Sequence, residues 1–367
     1  MLRMIIKISK VNDLNPLQAS SPLIGLLKCV AAQVIVAHHL AAYGPFAQTG
    51  HAEMPQLFDF LSDCGAWAVS VFLVIAGFLA AQSQNGKPVA FQSLPQLAIH
   101  RYLRLAPVYF VGLTLTVGVA LLLHPWVSPD MLPAHLDASV LLANIFFMQD
   151  ILGWEALSAG VWYVAIDLQL YVFFLCLASM AHSTAMRGLD VDKRWVWAAV
   201  GMLSLGYFNL HPSWNMWAIY FAGAYALGAL AYRSTPLLKN GHDIFGLYVA
   251  GALFCGWIEP RPRLFVAILA AAVLYSAQHI SVAHHFWTAM ARKAGDFAYG
   301  LFMSHFAMLM LLSCVYPGLK DWGIPFECWL LAVFVGCNAL GWFIWRYIDG
   351  PVQRTWFKRN SNKITSH

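Results

Sequence analysis

Lys28-Cys-Val-Ala-Ala-Gln-Val-Ile-Val-Ala-His38-His39 lies within an apolar run from Leu23 to Ala42. A run of that length, about 20 residues, crosses the hydrocarbon core of a bilayer as a helix. Eleven steps at about 100° and 1.5 Å per residue put Lys28 and His39 on one face, separated by roughly 16 Å along the axis. His38 falls roughly 80° off that face. An unpartnered ionisable side chain at such depth costs about 2.5–3.5 kcal/mol or more, which makes it a functional candidate by default. The alternative for His39, and more so for His38, is a histidine that hydrogen-bonds a neighbouring helix as packing glue.

The rest of the chain agrees with a membrane setting. Of 367 residues, 60% are hydrophobic and 11% charged; a soluble protein of this size carries about 25% charged residues. An all-α polytopic membrane protein is therefore expected. Apolar runs fall near 23–42, 65–83, 106–123, 162–181, 195–210, 216–232, 244–258, 264–280, 297–314 and 326–346, ten in all. Expected domains are an N-terminal cytoplasmic lead over 1–22 without the apolar core and cleavage site of a signal peptide, a membrane domain over 23–350, and a basic tail over 351–367. No appended soluble domain, internal repeat or low-complexity tract is evident.

The net charge of +5 matters less than its distribution. With the N-terminus inside, Lys28, Lys87, Arg101, Arg104, Arg187, Lys193, Arg194, Arg233, Lys239, Arg292, Lys293, Arg346 and the tail fall on the cytoplasmic side, leaving Arg261, Arg263 and Lys320 outside. The positive-inside rule then predicts both termini in the cytoplasm. Basic residues spread this way anchor a membrane protein and give no reason to expect nucleic acid as a partner. Ser139 to Met148 is too short to span, so it is expected as a re-entrant or interfacial segment in the outer loop from Leu123 to Gly160. Seven cysteines without a Cys-x-x-Cys pair predict neither a metal site nor a disulfide framework, although a bridge between Cys314 and Cys328 stays open.

Further polar residues stand out along the chain. Arg101 and Arg104, spaced i and i+3, project from one face at the start of the third span. Their forks suit phosphate oxygens, or equally lipid headgroups. Asp167, one turn into the fourth span, shares a face with Tyr171 and needs a partner: a histidine that it orients, or an arginine from the outer loops. Ala76 and Gly77 permit close approach of a neighbouring helix or a ligand. His305 is a second intramembrane histidine, about two turns into the ninth span. The last span closes at Asp349-Gly350-Pro351, where proline after glycine is expected to stop the helix. His51, His124, His135, His284 and His285 lie in loops and receive no role.

Taken in order, Lys28 with His39, Gly77-Phe78 at the end of the second span, Arg101 with Arg104 and Pro107, Trp162 with Asp167 and Tyr171, Tyr299 with His305, and Asp349 with Pro351 resemble the membrane-bound acyltransferase 3 family over about residues 23–354. The resemblance implies transfer of an acyl group, usually acetyl from cytoplasmic acetyl-CoA, to a hydroxyl of a carbohydrate or glycolipid, in the cytoplasmic (inner) membrane of a bacterium. It places Lys28, Arg101 and Arg104 at the donor and His39 as base. Asp167, His305 and Tyr171 are further catalytic candidates, as orienting acid or oxyanion donors. Acyl-CoA is then a substrate, with no permanently bound cofactor; membrane lipid is a partner, and a homodimer is open. Departures are lysine for arginine at 28, aspartate for glutamate at 167 and 349, and Ala76 for serine. The extra outer domain of some members is not evident. A transporter or flippase for a lipid-linked sugar or small solute is the alternative, with the same intramembrane charges lining its path.

Overall fold

The computed structural model describes residues 16–84, 88–185, 192–232, 244–278 and 285–354. Arg3, Lys7, Lys10, Lys87, Arg187, Arg233, Lys239, His284 and the tail beyond Arg354 lie outside them. Helices and the turns that join them make up the described residues, with no strand among them.

The element order follows the apolar runs. α1 is Pro16–Ala42, α2 Gly44–Glu53, α3 Pro55–Cys64, and a single 3-10 turn, Gly65–Ala68, leads into α4, Val69–Gln84. α5 is Leu94–Leu122, α6 Ala138–Ile145, α7 Gln149–Leu152 and α8 Val161–Ala185. α9 is Lys193–Gly206, α10 Ala218–Ala231, α11 Ile244–Ile258 and α12 Pro262–Ala277. α13 is His285–Leu319 and α14 Phe326–Ile344.

Among the described residues six stretches are long and apolar enough to cross a membrane: Pro22–Ala42, Pro55–Gln84, Phe91–Leu122, Val161–Thr184, Ala289–Trp322 and Phe326–Arg354. The other four of the ten expected spans coincide with α9, α10, α11 and α12, helices of 14, 14, 15 and 16 residues. At about 1.5 Å per residue, helices of that length fall short of a 30 Å hydrocarbon core.

Small residues set the helix packing. α1 and α13 cross so closely that a Cβ on Gly25 would meet the carbonyl oxygen of Ala291 at 2.3 Å, and one on Gly295 the Cα of Gly25 at 2.2 Å. This crossing carries Lys28 and His39 alongside the helix that bears His305. The small pair Ala76-Gly77 serves helix packing too: a Cβ on Gly77 would meet the carbonyl oxygen of Tyr225 in α10 at 2.0 Å. Its partner there is Gly228, whose Cβ would meet the Val74 oxygen at 1.8 Å.

The segment too short to span forms the eight-residue helix α6, capped by Asp137, whose side chain accepts from the backbone N–H groups of Ser139 and Val140. The Ser139 hydroxyl donates to that side chain as well, at 2.6 Å, and this bond together with the backbone ones holds the exposed Asp137 carboxyl below the usual carboxylate range. At its other end the Tyr109 hydroxyl donates to the Asn144 carbonyl and Tyr102 to that of Ile145, both at 2.8 Å. These bonds satisfy carbonyls that a helix end leaves open. Phe147 follows with φ +58° and is buried against the rings of Tyr102 and Tyr109. A non-glycine residue in that region is strained, and the close packing over-determines it.

The last helix corrects one expectation. It does not stop at Gly350-Pro351 but runs on to Arg354. A five-residue π-helical turn, Trp345–Asp349, precedes the proline. The wider turn re-registers the backbone where proline would clash with an α-helical carbonyl. It also turns Asp349 inward, to 3% exposure.

Candidate active site

Two polar regions occupy the bundle, and α1 touches both. At the His39 end, His39 Nδ1 lies 2.8 Å from His305 Nε2, with the rings stacked at 17°. Both side chains are buried. His305 Nδ1 lies 2.8 Å from the carbonyl oxygen of Phe302 and 3.3 Å from that of Leu301. A carbonyl only accepts, so that nitrogen carries the proton. In a neutral ring His305 Nε2 is then an acceptor, and His39 Nδ1–H donates to it. The remaining nitrogen, His39 Nε2, is left with its lone pair, and among the described residues none hydrogen-bonds to it. Among the described residues no carboxylate hydrogen-bonds to either ring. A backbone carbonyl three residues from His305 thus fixes the tautomer of a ring on another helix. His38, Tyr43 and Phe306 pack their rings around His39 at 5.0, 5.7 and 6.2 Å.

His38, the neighbour that the helical wheel places off the face, points elsewhere: its Nδ1 lies 3.1 Å from the Leu61 carbonyl oxygen. It is held against the turn that starts at Gly65, where a Cβ would meet it at 2.5 Å.

The second region is charged. Asp167 in α8 is 3% exposed and receives both Arg101 Nη2, at 2.6 Å, and Arg101 Nε, at 3.2 Å. Its partner is therefore neither of those expected from the sequence, a histidine or an arginine of the outer loops. The reason is reach: the long Arg101 side chain carries its guanidinium from the start of α5 into the bundle. Tyr171, one turn beyond Asp167, lies under the same guanidinium at 5.2 Å. Both expected catalytic partners of the histidines thus sit with Arg101, and the structure does not bring either onto His39. Lys28 and Arg104 lie in the field of this pair and of Asp349. Neither forms an ion pair among the described residues, and Arg104 is exposed.

Gln33 and Asn338 were missed from sequence, while Tyr299 and Asp349 were marked there only as motif positions, without a role in the site. Gln33, between Lys28 and His39, donates from Nε2 to Asn338 Oδ1 at 2.6 Å and so ties α1 to α14. Each is a polar residue inside an apolar run, the signal that marked His39. Tyr299 donates to the Leu105 carbonyl at 2.9 Å, beside the arginines. The burial of Asp349 depends on the π-turn, which leaves no pattern in the sequence.

All seven cysteines are free thiols, Cys314 and Cys328 included. His51, placed in a loop from sequence, lies in α2, with its Nδ1 2.8 Å from Asp59 Oδ1.

Comparison with known proteins places this arrangement. Part of the chain is similar to the Regulator of hypoxia-inducible factor 1 of Caenorhabditis elegans, 26% identical over 162 residues. That alignment takes in 43% of this chain and 32% of the relative, so the chain spans well under two thirds of that protein. No solved structure matches the chain. A family model described as an acyltransferase domain, the acyltransferase 3 family, matches residues 23–347 and includes Lys28, His39, Arg101, Arg104, Asp167 and His305. This polytopic helical chain belongs to the acyltransferase 3 family of membrane acyltransferases.

Proposed function

We propose that this protein transfers an acyl group, most simply acetyl, from a cytoplasmic acyl-CoA to a hydroxyl of a cell-envelope or secreted carbohydrate, with both chain termini in the cytoplasm and the bilayer being a bacterial inner membrane. The observation that carries the reading is the buried His39–His305 pair at 2.8 Å, whose His39 shares α1 with Lys28 and keeps its Nε2 uncommitted.

The chemistry needs a base, because a sugar hydroxyl attacks a thioester only as its proton is taken. His39 Nε2 accepts that proton. The imidazolium that forms keeps its Nδ1–H bond to His305, which shares the new charge while held by the Phe302 carbonyl. The hydroxyl oxygen bonds to the acyl carbon, the carbon–sulfur bond breaks, and the departing coenzyme A thiolate receives the proton from His39. An ester and a free thiol result. Lys28 and Arg104 supply positive charge for the phosphates of the donor about 16 Å down α1 from His39, a spacing suited to an extended pantetheine arm. Arg101 contributes less, since Asp167 already neutralises it.

The test uses membranes containing the protein and acetyl-CoA labelled in the acetyl group. Label should enter carbohydrate as an alkali-labile ester and be lost in a folded His39→Ala variant. Incorporation at the wild-type rate by that variant would refute His39 as the base.

A further inference from the structure

A cavity of about 690 Å³ lies at the His39 end of the bundle, walled by residues of α3, α4, α7, α8, α9, α10 and α12. The 3-10 turn Gly65–Ala68 adjoins both sites: Gly65 packs against His38, and Ala66 and Trp67 line the cavity. None of its residues belongs to the histidine pair or the charged cluster. The size is that of a small-molecule site.

Its walls combine flat apolar faces with polar groups that have not found one another. Trp67, Trp162 and Tyr220 provide the rings. Asp63 and Asp150 provide carboxyl groups, and Arg261 and Arg263 provide guanidinium groups. Among the described residues no ion pair joins either acid to either arginine. Arg261 is buried, with Nη1 bonded to the Leu205 carbonyl and to Asn209 Oδ1, while its Nε has no partner. Asp150 Oδ2 is buried and unpartnered as well. Arg263 lies over the Tyr220 ring at 5.1 Å and donates to its hydroxyl. Buried polar atoms without partners are costly, and both side chains that carry them, Asp150 and Arg261, line this cavity.

From this geometry we infer that the cavity bounded by Trp67, Trp162, Asp150 and Arg261 binds an uncharged, hydroxyl-rich pyranose ring. Aromatic faces take the apolar C–H side of the ring. The unpaired carboxylate accepts from hydroxyls, and the guanidinium donates to them. With Asp150 ionised, above about pH 7, two acids against two arginines leave no net charge to select an anion or a cation. As the acceptor's docking site this assignment rests on the acyl-transfer reading; as a sugar site it stands by itself.

Saturation-transfer NMR on the purified full-length chain in detergent tests it, with methyl glucopyranoside, maltose and chitobiose as probes. Saturable transfer to at least one of the three is expected. Asp150→Asn, which keeps the shape of the side chain, and Trp67→Leu should each weaken it about tenfold or more, and Trp257→Leu, at an exposed position away from the cavity, should leave it unchanged. No saturable transfer to any probe, or transfer that survives both cavity substitutions, would overturn the assignment. Acetyl-CoA titration of the same sample keeps the two readings apart. Donor binding without sugar binding removes the cavity site alone, and sugar binding without donor binding removes the acyl-transfer reading alone.

Discussion

Around His39 and His305 the bundle buries two rings without a carboxylate, whereas around Arg101 and Asp167 it buries opposite charges in direct contact. The first arrangement satisfies three of four ring nitrogens and leaves one open. The second neutralises one arginine and leaves two neighbouring cations without an ion pair. A neutral, half-satisfied pair suits proton transfer, because its free nitrogen takes up a charge only during reaction. An ion pair flanked by free cations suits holding an anion, with Arg101–Asp167 as the fixed element and Lys28 and Arg104 as the groups available to a ligand. Intramembrane ionisable residues of one bundle therefore need not share one role.

The largest effect expected from breaking the first region is on rate. His39→Ala should lower acyl transfer by about 100- to 10,000-fold, the range for loss of a general base. His305→Ala should cost about 10- to 100-fold in kcat with little change in KM for acetyl-CoA, and His305→Gln, whose amide oxygen can still accept from His39 Nδ1, should recover part of the loss. Equal activity of the alanine and glutamine variants would show that His305 only fills space.

Breaking the second region should act first on stability. Asp167→Ala leaves the Arg101 guanidinium buried without its partner, a change that costs about 3–5 kcal/mol. The double variant Arg101→Met, Asp167→Leu should restore most of the lost thermal stability in detergent. If the single variant melted like wild type, the ion pair would not be an element of the fold.

How much of this was legible in the sequence depended on the kind of signal. An ionisable residue in an apolar run is visible by itself, so Lys28, His39, Asp167 and His305 stood out, and the length of Ser139–Met148 separated it from the spans. Pairing was not visible. His39 and His305 lie 266 positions apart, and no local pattern links them. Asp167 was rightly expected to need a partner, but Arg101 was read as a residue of the membrane mouth because its Cα is there; the length of its side chain decides otherwise. α9 to α12 read as spans because their residues are apolar throughout, yet 14 to 16 residues do not provide the length of the six longer helices. The inward turn of Asp349 follows from a backbone irregularity that apolar periodicity does not record.

A smaller effect sharpens the contrast from outside the spanning helices. Burial raises Asp150 from the usual carboxylate range to about 7. The folded chain therefore holds a proton that the unfolded chain releases near pH 4, and stability attributable to this residue falls as pH rises from about 4 to about 7. Asp150→Asn should remove that slope from the melting temperature, an effect of a few degrees. An unchanged slope would assign it to other groups.

The central claim is that the charged cluster binds the donor and the histidine pair does the chemistry. Isothermal titration of the detergent-purified protein with acetyl-CoA tests it most directly, using wild type, Arg104→Ala and His39→Ala. The predicted result is saturable binding, about tenfold weaker in Arg104→Ala and unchanged in His39→Ala. Binding unaffected by loss of Arg104, binding abolished by loss of His39, or no binding of acetyl-CoA by the folded wild-type protein would contradict it.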